Sequence, residues 1–146
     1  MIALVQRVRE ARVDVAGRVT GAIGPGLLVF VCAEPADTEA TAAKLVDKLV
    51  KLRIFADEAG KMNRSVQDVG GALLVVSQFT LAADVSGGNR PSFAGAAPPD
   101  LGRAHYEAVL AQVRQRLGSV QAGEFGADMQ VHLVNDGPVT IPISMR

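Results

Sequence analysis

The sequence predicts a single α/β domain over residues 1–146, with mixed and antiparallel strands in sheet layers and two helices packed on them. Three observations carry this. Several segments of strand length are apolar, either in alternation or as unbroken runs. Two longer segments bear apolar stripes at helical period. No linker, repeat or low-complexity stretch divides the chain. Hydrophobic residues make up 49% of the chain, enough for a real core at this length. Aromatic residues are only 4%, with no Trp, so Val, Leu, Ile and Ala must build that core.

Taken in order, Ile2 to Glu10 reads as a strand, with Ile2, Leu4 and Val8 on one face and Ala3, Val5 and Arg7 on the other. Ala11 to Ala16 alternates as a second strand and Gly17 turns the chain into Arg18 to Ile23. Gly24-Pro25-Gly26 closes that meander, and Leu27 to Val31 is a continuous apolar strand ended by Glu34-Pro35-Ala36-Asp37. Thr38 can cap a helix running to about Leu52, because Ala42, Leu45, Val46, Leu49 and Val50 share one face. Its lysines read as a solvated face. Arg53 to Phe55 reads as a short strand, Asp57 to Gly60 as a turn, and Lys61 to Ser65 as polar and irregular.

Ala72 to Val76 has no polar interruption and reads as a buried strand. The segment from Ala82 to Pro99 shows no periodicity and reads as a long loop. Pro99 suits the first turn of a second helix, which carries Tyr106, Val109, Leu110, Val113 and Leu117 in a stripe and ends at Gly118. Ser119 to Phe125 and Met129 to Val134 read as strands joined by Gly126-Ala127-Asp128, and Pro138 to Ile143 as a final strand.

Bulk properties exclude some functions. Fifteen basic residues balance fifteen acidic ones, which argues against gripping nucleic acid through many phosphate contacts. A protein that touches one end of an RNA through a few groups stays open. Cys32 is the one cysteine, so no internal disulfide forms, and its apolar run makes it a buried structural thiol. The N-terminal apolar stretch is too short for a signal segment and none approaches bilayer length, so a cytoplasmic protein with no membrane partner is expected. His105 and His132 lie in different elements without Cys or His at metal-ligand spacing, so neither a metal nor a cofactor is expected. His105, beside the apolar stripe, reads as a surface or half-buried structural residue, and His132 as outward-facing on its strand. A Ser–His–Asp triad stays open, because triads form in space.

Two stretches draw attention. Ser77-Gln78-Phe79-Thr80 follows the buried strand and puts hydroxyls, an amide and an aromatic ring where the long loop opens. Alone, it is either a strand with a polar end or the lip of a site. Asn135-Asp136-Gly137-Pro138-Val139-Thr140 reads as a hairpin turn at Asp-Gly or as backbone aimed at a ligand. Arg7 is either an edge-exposed arginine or a guanidinium that holds a nearby loop by its carbonyls.

Together these two stretches make the chain resemble the D-aminoacyl-tRNA deacylases, also called D-tyrosyl-tRNA deacylases. That family carries Ser-Gln-Phe-Thr and Asn-x-Gly-Pro-Val-Thr, and both stand intact here. Leu52-Arg53-Ile54-Phe55, Gly60-Lys61-Met62-Asn63, Arg90-Pro91-Ser92-Phe93 and Phe125-Gly126-Ala127-Asp128-Met129 are similar too, and the likeness runs to about Thr140. The resemblance implies a three-layer fold, a homodimer, and hydrolysis of the ester joining a D-amino acid to the 3′-terminal adenosine of tRNA, with glycyl-tRNA as a further substrate. It implies that Ser77, Gln78, Phe79 and Thr80 form the catalytic pocket. Gly137 and Pro138, joined by a cis bond and held by Arg7, would enter the partner's pocket and reject L-amino acids. Phe125 and Met129 would wall that pocket, although core packing explains them nearly as well. No base is evident to activate Thr80, so attack by water assisted by the ribose 2′-hydroxyl is expected rather than a Thr nucleophile. Backbone N–H groups near Phe79 and Thr80 would stabilise the oxyanion. Three alternatives are a small-ester hydrolase, a non-catalytic nucleic-acid-binding module on the same fold and a purely structural dimer. The intact double motif has no role in the last.

Overall fold

The computed structural model describes Met1–Arg146 throughout. Its frame is β1 (Ile2–Val15), a single long strand where two were expected. The first half of β1 pairs with β3 (Gly26–Cys32) and the second half with β2 (Arg18–Ile23), while β8 (Gln130–Ser144) runs antiparallel to both halves. Continuous pairing to β8 keeps β1 from breaking at Glu10. A shift of burial phase marks where the break was expected. Ala3 and Val5 are buried in one core, whereas Val8, Ala11, Val13 and Val15 are buried in a second one. The ladder slips between Gln6 and Val8 and again between Val8 and Glu10. The first slip sets Asp136 to Val139 of β8 opposite Arg7 alone, and the second adds one residue, Arg9, to β1 and changes which face of β1 points inward.

From β3 the sheet continues in parallel to β6 (Ala72–Ser77) and then to β7 (Gln121–Ala122), giving six strands in all. Parallel neighbours need long crossovers. The first contains α1 (Glu39–Lys51) and a two-stranded ribbon of β4 (Phe55–Ala56) and β5 (Met62–Arg64). The second contains α2 (Pro99–Leu117). The architecture is thus the expected α/β domain with a mixed sheet and two helices. Thr38 caps α1 as expected, its hydroxyl accepting from the Thr41 amide while Thr41 reaches back to the Thr38 amide. Gly118 ends α2 at φ 84°, left-handed backbone that suits glycine.

Both apolar stripes face one side of the sheet. Ala42, Leu45, Val46, Leu49 and Val50 of α1 meet Tyr106, Val109 and Val113 of α2 over Leu27, Val29, Leu73 and Val75. The opposite faces of the same strands supply Leu28, Leu74 and Val76 to the second core. There the sheet curls until β2 meets β7. The Ala22 amide donates to Gln121 Oε1 at 3.3 Å, and a Cβ on Gly21 would lie 2.5 Å from the Ala122 carbonyl oxygen. Two backbones this close leave no room for a side chain.

Further expectations need correction. Lys61 to Ser65 is not irregular, since Met62–Arg64 pairs with Phe55–Ala56, and the strand expected at Arg53–Phe55 starts only at Phe55. Ser119 to Phe125 is a strand only at Gln121–Ala122; the Gly123 amide still donates to the Val75 carbonyl at 3.3 Å, and the chain then turns, the Ala127 amide donating to the Glu124 carbonyl. Met129–Val134 and Pro138–Ile143 are one strand, and Asp136-Gly137 is not a hairpin turn within it. Asn135 pairs with Val8 and Thr140 with Gln6, so Asp136 to Val139 bulges from a strand that keeps its direction. Finally, the Ala82–Pro99 loop is not wholly structureless, as Asp84 and Ser92 exchange backbone hydrogen bonds of 2.8 and 2.9 Å.

The contact between β3 and β6 is tight at Gly26, where a Cβ would lie 1.9 Å from the Ala72 carbonyl oxygen. We expect Gly26→Ala to cost about 2–3 kcal/mol by forcing these strands apart. The measurement is urea unfolding, with a lower midpoint at unchanged slope.

Candidate active site

The end of β6 builds the candidate site. Parallel pairing carries one step past the strand, with the Gln78 amide donating to the Val31 carbonyl at 2.8 Å. The chain then tightens into a 3₁₀ turn over Phe79–Ala82. Phe79 is left 57% exposed, an unusual cost for a large ring. It packs edge-to-face on Phe93, with centroids 5.2 Å apart. Phe93 belongs to the long loop, whose far end is tied down where the Ala97 amide donates to the Ala33 carbonyl at 2.9 Å.

Between these elements lies a cleft of about 700 Å³. Ser77, Gln78 and Phe79 line it together with Phe125, Met129 and Tyr106 of α2. Tyr106 donates its hydroxyl to the Val75 carbonyl at 2.8 Å, and its ring tilts against Phe125 at 5.9 Å. Burial pushes the Tyr106 phenol up to about 12. The Arg103 guanidinium lies 4.6 Å above the Phe125 ring and fixes a positive charge beside the cleft. Met129 takes its place because Gly123 lacks a side chain; a Cβ there would lie 2.7 Å from the Met129 sulfur. Cys32 also lines the cleft and donates to the Ala33 and Phe79 carbonyls at 3.4 and 3.5 Å. Burial, then the Glu34 carboxylate, pushes its thiol up.

Of the residues singled out from sequence, the structure therefore gathers Ser77, Gln78, Phe79, Phe125 and Met129. Thr80 stands just outside, its hydroxyl accepting from the Gln78 side-chain amide at 2.5 Å. Arg7, Gly137 and Pro138 are not part of this cleft. They form a separate group in the β1–β8 ladder, where the Gly137-Pro138 bond is cis and Gly137 has φ 134°. Arg7 donates through Nε to the Asp136 carbonyl at 3.0 Å and through Nη1 to the Ile54 carbonyl at 2.6 Å. Its side chain is 14% exposed, so it is not an edge-exposed arginine. Gly137 and Pro138 face outward.

Neither histidine lines the cleft, so no Ser–His–Asp triad forms there. His105 is buried, deeper than the half-buried position expected of it, and His132 is exposed and lies 3.3 Å from Asp14. No group of three or more His, Cys, Asp and Glu side chains converges. No helix is long and apolar enough to cross a membrane. Tyr106 and Cys32 are buried in the core as expected and also line the cleft. For Tyr106 the available signal was its hydroxyl, which needs a partner wherever it is buried.

The D-Tyr-tRNA(Tyr) deacylase family model matches residues 4–144. The chain belongs to this family. The family expected from the two motifs, and its class of ester hydrolases, agree with this. D-aminoacyl-tRNA deacylases of Methylibium petroleiphilum and Variovorax paradoxus are 70% and 68% identical to the chain. They cover 98% and 99% of it, over 94% and 99% of their own lengths. Among solved structures, the c-Myc DNA Unwinding Element Binding Protein is 43% identical with a TM-score of 0.93, covering 99% of this chain and 98% of its own. A probable eukaryotic D-amino acid tRNA deacylase shares the fold with a TM-score of 0.86 at 18% identity, over 97% of both chains.

Tyr106 is the chain's one tyrosine, so its ionisation can be followed alone. A raised pKa means that the folded state holds the proton more tightly. Stability is therefore intact below pH ~10 and falls as pH rises toward the folded value of about 12. Tyrosinate absorbance of the native protein should titrate with a midpoint near the folded value. A midpoint near the ordinary value of 10.0 would mean the ring is solvated.

Proposed function

We propose that the chain hydrolyses the ester joining a D-amino acid to the 3′-terminal adenosine of tRNA, releasing D-amino acid and free tRNA. One observation carries this reading: the cleft is walled by Phe79, Phe125 and Met129 beside the polar Ser77 and Gln78, while the Gly137-Pro138 backbone stands exposed outside it. At about 700 Å³ the cleft has the size and the apolar character of a small-ligand site. A terminal adenosine could stack on its rings, leaving the ester near the 3₁₀ turn. The first amides of such a turn have no partner within it, so those of Phe79 and Thr80 are suited to hold an oxyanion.

The separation of the two motifs supports a homodimer. In it, Gly137 and Pro138 of one subunit enter the cleft of the other, and their carbonyls accept from the substrate ammonium. A main-chain surface cannot swing aside as a rotamer does, so an L side chain meets a fixed obstruction. Glycine has no side chain to obstruct, so glycyl-tRNA is also a substrate. Water is the nucleophile, assisted by the neighbouring ribose 2′-hydroxyl. Thr80 positions rather than attacks, because its hydroxyl accepts from Gln78 and no histidine lines the cleft to take its proton.

The deciding experiment is deacylation of matched D-tyrosyl-tRNA and L-tyrosyl-tRNA by the purified protein, with a chelator present. Release from the D-ester alone is expected. Release from both would leave an unselective esterase. Thr80→Ala should keep kcat within about tenfold, whereas losing a covalent nucleophile costs on the order of a million-fold in a well-studied serine protease.

A second reading is a non-catalytic nucleic-acid-binding module, favoured by the DNA-binding name of the 43% identical solved structure. The zero net charge weighs against it. Its signature would be duplex DNA binding that falls steeply with salt, in a protein that releases neither ester.

A further inference from the structure

We infer that Asn135 is the positioning residue that makes the Gly137-Pro138 main chain a fixed surface. The inference rests on the reading of that main chain as the chirality-sensing element. Asn135 occupies the last paired position before the bulge, opposite Val8, and Thr140 the first one after it, opposite Gln6. The Asn135 side chain spans the gap. Its Oδ1 accepts from the Val139 amide at 2.8 Å, and its Nδ2 donates to Thr140 Oγ1 at 2.8 Å. The same Thr140 oxygen accepts from Gln6 Nε2 at 3.3 Å, which ties the clip to β1. A backbone amide can only donate, so the atom facing Val139 must be the carbonyl oxygen. This sets the orientation of the Asn135 amide and leaves its nitrogen for Thr140.

The two ends of the bulge are thus held by different groups. Arg7 fixes the near end through the Asp136 carbonyl, and Asn135 fixes the far end through the Val139 amide. The Val139 side chain is 8% exposed and sits in the helix-side core. What remains between the anchors is Gly137 and Pro138. The space around Gly137 is also closed: a Cβ would lie 3.0 Å from Val139 Cγ2 and 3.1 Å from Arg7 Nη2. The ladder itself does not need Asn135, because β8 pairs with β1 on both sides of the bulge. Removing the side chain should therefore loosen the bulge and leave the fold.

Asn135→Ala and Asn135→Asp separate positioning from stability. Aspartate keeps an acceptor for Val139, and the Thr140 hydroxyl can rotate to donate to it. For Asn135→Ala we expect the ratio of kcat/KM on D- to L-tyrosyl-tRNA to fall by about tenfold, the scale of one lost hydrogen bond. Asn135→Asp should recover most of that ratio. Hydrogen exchange of the Val139 amide should speed by at least about tenfold in Asn135→Ala, with the flanking β1–β8 amides still protected. An unchanged ratio in a folded Asn135→Ala protein, or equal losses on both esters, would overturn the inference. So would a Val139 amide that already exchanges freely in the unaltered protein. If the unaltered protein does not distinguish the two esters, the chirality reading itself fails, and with it the inference, whatever Val139 exchange reports.

Discussion

Backbone pairing along both edges of β1 is the constraint on which the rest of the molecule depends. One edge carries β8 along nearly the whole strand, and the other carries β3 and then β2. Alternation alone sends Val5 and Val8 to opposite cores, but it cannot bury Val8 and Ala11 in the same one. An extra residue of β1 at Arg9 makes that change of face, while at Arg7 it is β8 that bulges, through Asp136 to Val139. The unusual backbone at Gly137 lies within those four residues of β8. Arg7, drawn from the same irregular stretch of β1, fills the gap that the mismatch opens.

The cleft has a different origin. β6 ends between β3 and β7, and the chain leaves it through a tight turn instead of a helix. The space above the strand end is closed by α2, by the long loop and by the segment that follows β7. Each contributes an aromatic ring near the cleft: Tyr106 from the helix, Phe93 from the loop and Phe125 from the last segment. With Phe79, four of the chain's six aromatic residues thus gather at one place, in a chain whose cores are largely aliphatic.

Much of this was legible in the residues. The stripes on α1 and α2 have the period of buried helices, and Thr38 and Gly118 carry the chemistry of helix ends. The unbroken run at Ala72–Val76 marks a strand covered on both faces. What stayed hidden depended on partners far away in sequence. Nothing within Ile2–Val15 reveals that it is one strand, because β8 is what keeps it continuous. Asp136-Gly137 has the composition of a hairpin turn, and only its pairing to β1 on both sides makes it a bulge. The cleft was half legible: Ser77 to Phe79 stood out as polar and aromatic groups at a strand end. Tyr106 and Cys32 looked like core because most of each side chain is.

Cys32 gives the cleft a built-in reporter. The thiol lies at the cleft wall, is 2% exposed, and is bonded to the carbonyl of Phe79. Its raised pKa leaves little thiolate at neutral pH. Alkylation must therefore wait for the turn after β6 to open. With one cysteine in the chain, the labelling rate reads that opening without competition from any other site. An occupant of the cleft would slow the labelling according to the fraction of molecules it fills.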